Sequence, residues 1–365
     1  MKNKIWMSSP HMGENEFKYV KDAFDTNWIA PAGPYLSKFE TSICDYTKSK
    51  HSLAVTSGTA AIHLALRLLE VQQDDIVLCQ SLTFIGSAVP ILYEKATPIF
   101  VDSESTTWNM CPEALETAIK KSTKKPKAII VVHLYGMPSK MEEIMSISQK
   151  YNIPIIEDAA EALGSSINGK QCGTFGKFGI YSFNGNKIIT TSGGGALVSK
   201  DKEDIDQARF LSTQAKENTP HYEHITFGYN YRLSNISAAI GCGQLEVLND
   251  RIAKKRSLFT HYESLNYIKL QKEPKGYISN RWLICGLLDT KQQRDNLINK
   301  LAQSNIESRP VWKPMHLQPL FKGISYYGSN VSENIFDRGI CLPSDTKMIN
   351  EDIERINKIL TNFFL

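Results

Sequence analysis

Short apolar runs alternate along the chain with longer segments that have helical spacing. Residues 52–55 suit a strand, and Thr56-Ser57-Gly58-Thr59-Ala60-Ala61 then opens a helix continuing to Leu69. Residues 76–79, 98–101, 128–133, 153–157 and 196–198 read as strands. Residues 84–92, 112–120, 141–151 and 205–214 read as helices. The run 128–133 is apolar without polar alternation, as in a strand covered on both faces. Strands alternating with helices in this way predict an α/β architecture built on a largely parallel, doubly wound sheet.

The flanking segments differ. Residues 15–24 have helical spacing, with Phe17, Val20 and Phe24 on one side. Asn27-Trp28-Ile29-Ala30-Pro31-Ala32-Gly33-Pro34 then predicts an ordered loop, because prolines and glycine block both helix and strand. A second helix follows through Phe39, Ile43 and Tyr46. Further on, Ile236, Ile240, Leu245 and Leu248 mark one long helix. From about Arg256 the pattern changes to a helix, a poorly patterned stretch with Pro274 and Gly276, a strand at 282–288, and helices at 294–303 and 352–363. The expected organisation is a large domain with an N-terminal arm over 1–250 and a smaller C-terminal α+β domain over 251–365.

Composition narrows the function classes. With 365 residues, 42% of them hydrophobic, the chain can bury a large core and a smaller one. A net charge of +4 is too mild to suggest nucleic acid, and Lys120, Lys121, Lys124 and Lys125 fit a solvated helix end. The seven cysteines are scattered without a C-x-x-C pair, which predicts reduced thiols in a cytoplasm and no metal site. The first residues lack the apolar core of a signal peptide, and no apolar run suits a membrane span.

The candidate chemistry gathers around Gly179–Gly195, GIYSFNGNKIITTSGGG. An apolar strand runs into small and polar residues around Lys187, and no acid lies within the stretch to pair with it. An amine held this way can attack an aldehyde, since desolvation and nearby cations free its lone pair. A surface lysine beside a flexible turn is the competing reading. The Ser57-Gly58-Thr59 turn after a strand suits a phosphate, with the helix N-terminus supplying N–H groups and a positive dipole end. An ordinary Ser/Thr cap has the same pattern. Asp158 follows an apolar strand, at the edge where open α/β sheets hold ligands, although it could equally cap a helix.

Ser182-Phe183, Lys187 and the Ser/Thr- and Gly-rich segment after it resemble the lysine motif of the DegT/DnrJ sugar aminotransferases. These are fold type I pyridoxal-phosphate (PLP) enzymes, and the likeness runs from Pro10 to the final helix. The usual family ending, Gly-Glu-Gly-Gly, is replaced here by Ser192-Gly193-Gly194-Gly195. That variant resembles the transaminases of UDP-4-keto-6-deoxy-N-acetylglucosamine, on the route to bacterial diamino-trideoxy sugars such as bacillosamine. The resemblance implies a mostly parallel, seven-stranded sheet and PLP as cofactor. It makes Lys187 the covalent anchor and general base, and sets Asp158 against the pyridine nitrogen. Phe84 would stack on the ring. Ser57, Gly58, Thr59, Ser182 and the partner subunit's Asn230 would hold the phosphate. Glu161 stands where the wider family has glutamine. Asn27, Trp28, Ile29 and Ala30, together with Arg232, Arg309, Trp312, Lys313, Pro314, Met315 and His316, would contact the nucleotide sugar. L-glutamate would be the donor, and a homodimer would share its active sites. Three alternatives remain: a GDP-4-keto-6-deoxymannose transaminase, a PLP-dependent sugar dehydratase, and a non-catalytic dimeric regulator. Dehydratases of this kind carry histidine in place of the lysine, so Lys187 opposes that reading.

Overall fold

A computed structural model of the chain describes residues 3–365. Its central layer is a sheet of eight strands. In spatial order these are His51–Val55, Gly195–Ser199, Phe178–Ser182, Ile155–Asp158, Ala128–Val132, Ile76–Gln80, Thr97–Val101 and Tyr326–Tyr327. Gly195–Ser199 runs antiparallel to both neighbours, while the other adjacent pairs are parallel. The expected seven strands are joined by the short Tyr326–Tyr327 edge strand. Its loop is anchored by Asp102, whose carboxylate accepts N–H bonds from Ser329, Val331 and Ser332 at the start of the Val331–Arg338 helix.

Strand alternation distributes the side chains to the two faces of this sheet. Val77, Cys79 and Ile130 pack with Leu64 and Ile91 on one face. Leu78, Ile129 and Val131 pack with Leu115 and Ile144 on the other. Both faces are therefore dry, which is why these strands lack polar alternation.

A second sheet orders Lys269–Leu270, Ile284–Leu287, Gly339–Leu342 and Arg309–Pro310, all antiparallel. Its core includes Leu258, Leu297, Leu301, Ile356 and Leu360, and also Ile5, which bridges to Ile306. A third, three-stranded sheet joins Tyr277–Ile278, Ser166–Ile167 and Lys170–Gln171.

Two helical expectations change. The long helix is divided into Asn235–Glu246 and Leu248–Leu265, with Val247 at φ −103° and ψ 3° between them. In the first helix, Glu16–Asp25, Phe17 and Phe24 are 80% and 59% exposed, while Glu16 and Ala23 are buried. Glu16 is drawn inward because its carboxylate accepts from Gly13 N and Gln244 Nε2, and Ala23 is small enough for close packing.

Candidate active site

The carboxyl ends of Ile155–Asp158 and Phe178–Ser182 open onto a cavity of about 320 Å³. The start of the Gly58–Leu68 helix forms one wall. Ser57 caps this helix, its Oγ accepting from Ala60 N at 3.0 Å, while its carbonyl accepts from Ala61 N. The first four N–H groups of a helix have no intrahelical partner. Those of Gly58 and Thr59, both lining residues, are thus left for a ligand.

The glycines after the lysine explain how this turn is reached. A Cβ on Gly195 would lie 2.4 Å from the carbonyl carbon of Ser57 and 2.5 Å from Gly58 N. Only glycine lets its strand approach the turn this closely. Gly193, by contrast, has nothing within 4 Å of such a Cβ.

Asp158 is 4% exposed and lines the cavity. Its Oδ2 accepts from Ser87 Oγ at 2.6 Å, and its Oδ1 accepts from Ala160 N at 3.1 Å. Burial pushes its carboxyl above the usual carboxylate range, against the opposing pull of these bonds and of the Lys187 charge. The neighbouring acid, Glu157, points the other way. It accepts from His133 Nε2 at 2.8 Å and from the N–H groups of Gly173, Phe175 and Gly176. Burial alone would raise its pKa, but these donors hold it below the ordinary value.

Lys187 enters the same cavity with its side chain 11% exposed. No acid lies near it in sequence, but the fold brings Glu161 Oε1 to 3.4 Å from its Nζ. The other Glu161 oxygen accepts from Tyr135 N at 2.6 Å. Burial pushes the Glu161 carboxyl up to about 7, with Lys187 opposing. The Trp282 ring lies 4.0 Å from Lys187 Nζ, a cation–π contact. Its indole Nε1 donates to Asn186 O at 2.6 Å, and its backbone N donates to Asn280 Oδ1 at 2.9 Å. Trp312 continues this aromatic wall, 5.4 Å from Phe84 and 4.9 Å from Tyr135 between ring centroids.

The cavity therefore gathers Ser57, Gly58, Thr59, Phe84, Asp158, Glu161, Ser182, Lys187 and Trp312. The remaining expected contacts lie outside its lining. The 27–30 loop is tied to the Asn235–Glu246 helix, since Asn235 Nδ2 donates to Trp28 O and Asn235 N to Ala30 O. Asn27, Trp28, Ile29 and Ala30 are exposed. Arg232 is committed to Glu40 at 2.7 Å, a carboxylate that Arg209 also contacts. Arg309 is exposed and pairs with Glu307 at 2.7 Å. Lys313 and Pro314 lead away from Trp312, and Met315 is buried in the core against the main sheet. His316 binds Ser81 Oγ through Nδ1 at 2.6 Å and stacks on Tyr326. Asn230 is exposed and bridges Thr213 through its backbone.

Ser87, Tyr135 and Trp282 escape a reading from sequence. Ser87 looks like any helix serine, and Trp282 like a strand aromatic. Only tertiary contact brings them to Asp158, Glu161 and Lys187.

A family model for the DegT/DnrJ/EryC1/StrS aminotransferases matches residues 10–361. The chain is 50% identical to EpsN of Bacillus subtilis (strain 168), an inferred pyridoxal phosphate-dependent aminotransferase, covering 100% of this chain and 97% of that one. It is 39% identical to the GDP-perosamine synthase of Escherichia coli O157:H7, over 97% of each chain. Among solved structures, the PLP form of the inferred sugar aminotransferase Spr1654 from Streptococcus pneumoniae is similar, with a TM-score of 0.90. It is 27% identical, over 99% of this chain and 98% of that one.

Proposed function

Because the chain belongs to the DegT/DnrJ/EryC1/StrS aminotransferase family, we propose that it moves the amino group of L-glutamate to C4 of a nucleotide-linked 4-keto-6-deoxy sugar. Pyridoxal phosphate is the cofactor. The cavity suits it in three respects. A helix start with two unpaired N–H groups, flanked by Ser57 and Ser182 hydroxyls, suits a phosphate. A buried carboxylate, Asp158, suits a ring nitrogen, and a lysine suits an aldehyde. The observation that carries the reading is this convergence of Lys187, Asp158 and the Ser57–Thr59 turn in one cavity.

When bound, the cofactor supplies an electron sink for charge developing at the amino-bearing carbon. Asp158 keeps the ring nitrogen protonated, and Phe84 covers the ring. Gly58 N, Thr59 N and the two serine hydroxyls would hold the phosphate, completed by the partner subunit's Asn230. Lys187 would anchor the cofactor covalently and, as general base, would carry the proton from the donor carbon and return one to the acceptor. Glu161 and the Trp282 ring hold the Lys187 amine in place when it is released. Trp282 and Trp312 exclude water on the substrate side.

For the acceptor we favour UDP-4-keto-6-deoxy-N-acetylglucosamine, supported by Ser192-Gly193-Gly194-Gly195, in bacterial glycan biosynthesis. A second reading, GDP-4-keto-6-deoxymannose, is favoured by the identity to a GDP-perosamine synthase. Incubating the PLP-loaded enzyme with L-glutamate and each keto sugar, then reading product masses, decides between them. Amino sugar from the UDP substrate with matching 2-oxoglutarate is the expected result. Product from the GDP sugar alone selects the second reading, and product from neither removes both.

A further inference from the structure

A second cavity, of about 240 Å³, lies at the opposite end of the same strands. Its walls include Gly176 and Lys177, before Phe178–Ser182, and Ser199 and Lys200, at and after the end of Gly195–Ser199. The active-site cavity is reached at the other end of the Phe178–Ser182 strand, where Ser182 stands. The two cavities share no lining residue.

Lys48, Lys50, Lys170, Lys177 and Lys200 converge on this cavity from separate stretches of chain, and no Asp or Glu lines it. Lys177 is neutralised from outside the lining, by Asp204 at 3.1 Å and Asp201 at 3.7 Å. The other four have no carboxylate within ion-pair distance among the described residues. Lys170 instead rests over the Phe175 ring, 4.2 Å from its centroid. Burial and then the neighbouring Lys200 charge lower its pKa, against the opposing pull of the buried Glu157 carboxylate, so Lys170 and Lys200 feel one another. All five lysines are exposed, and like charges gathered around a concave surface repel and focus a positive potential into it. Open lysines on a convex surface would be screened within a Debye length of about 8 Å at physiological salt.

The nearby backbone does not supply the recognition, because the Gly173, Phe175 and Gly176 N–H groups point inward to Glu157. Recognition therefore falls to the lining side chains, chiefly the ammonium groups, which act on phosphates as point charges. The floor leaves room, since a Cβ on Gly169 would meet nothing within 4 Å. We propose that this cavity is a binding site for a diphosphate group, carried either by free pyrophosphate or by a nucleoside diphosphate. The site is independent of the reaction assigned to the other end of the sheet.

The test uses the PLP-loaded enzyme, so that the catalytic phosphate position is filled. Pyrophosphate is titrated calorimetrically into wild type, into the double variant Lys170→Gln/Lys200→Gln, and into Lys124→Gln/Lys125→Gln as a control of equal charge loss. Thermal melts establish that each is folded. Saturable binding that weakens with salt is expected, with about tenfold or greater loss in the cavity variant and little change in the control. A parallel titration with UDP, read as the difference between wild type and cavity variant, separates the sources. Equal cavity-dependent affinity assigns the site to free diphosphate, and tighter UDP binding assigns it to a nucleoside diphosphate. No binding to wild type, equal binding to the cavity variant, or an equal loss in the control would overturn the proposal.

Discussion

Glu157 and Asp158 are adjacent acids with opposite fates, and strand alternation divides them. One side chain faces the Gly173–Gly176 turn and holds its N–H groups, while the other lines the cavity. Asp158→Asn should still bind PLP but lose turnover by orders of magnitude, because a neutral partner no longer favours the protonated ring. Activity within about twofold of wild type would assign the ring nitrogen to another group. Lys187→Ala should fold normally yet lose both turnover and the covalent cofactor, the latter seen by mass after borohydride reduction. Glu161 makes a pH prediction. Its folded pKa of about 7 lies above the ordinary 4.5, so the native state favours the protonated form. Its stabilising contribution is complete below about 4.5 and is lost as pH rises through about 7, by on the order of 3 kcal/mol. In cofactor-free protein, wild type should therefore lose stability relative to Glu161→Gln between pH 5 and 8. Denaturant unfolding at both pH values measures this, and parallel curves would refute it.

At the level of elements, the lysine segment and the phosphate turn are held together by one close approach. Gly195→Ala places a methyl group against the Ser57–Gly58 peptide, a backbone contact with no side chain to yield. It should weaken PLP binding by about tenfold or more and cost about 1–3 kcal/mol of stability. Gly193→Ala, with open space at its Cβ, should change neither, and spectral titration with PLP beside thermal melts would expose an error in either expectation. The same logic explains what could be read from the chain alone. Strands such as Ala128–Val132 are buried on both faces, so their apolar runs announce a parallel sheet. The Lys187 motif and the Ser57 turn were legible because each is local. Tyr326–Tyr327 was not, since two residues carry no periodicity and their partner strand lies far away in sequence. The ion pair of Arg232, which the resemblance sets toward the nucleotide sugar, could not be read from the chain, because its partner Glu40 lies far away in sequence. Phe17 and Phe24 announced a helix correctly, but their periodicity did not reveal that Glu16 and Ala23 would take the buried side.

For the whole molecule, one expected phosphate ligand stands apart from the cavity of its own chain. Asn230 carries the resemblance to a phosphate ligand but does not line its own chain's cavity, and its side chain makes no hydrogen bond among the described residues. The segment before it exposes Tyr222, Ile225 and Phe227 at 81%, 83% and 63%, and Trp28 is 49% exposed elsewhere. Exposed large apolar groups of this kind suit contact with a second copy. In an isologous dimer each site would draw Lys187 from one protomer and Asn230 from its partner. This arrangement predicts complementation between two inactive variants. Lys187→Ala removes the anchor, and Asn230→Asp sets a negative charge against the phosphate, which should leave each homodimer nearly inactive. In a mixed dimer one site carries both lesions and the other carries neither. Mixing should restore activity, up to roughly a quarter of wild type when about half the dimers are mixed. Native mass spectrometry confirms the exchange, and a parallel mixture of Lys187→Ala with Asp158→Asn provides a control. Those two residues line one cavity of one chain, so every mixed dimer carries one lesion in each of its two sites. That control should recover no activity whichever way Asn230 faces, which sets the baseline for the exchange. If the Asn230→Asp charge instead acted on its own protomer's phosphate, neither mixture would recover. The decisive measurement is therefore the double variant Lys187→Ala/Asn230→Asp mixed with wild type. If the sites are shared, each mixed dimer has both sites damaged, and activity falls below the level set by unmixed wild-type dimers plus half-active hybrids. If Asn230 acts within its own chain, the hybrids keep one intact site and activity does not fall to that extent.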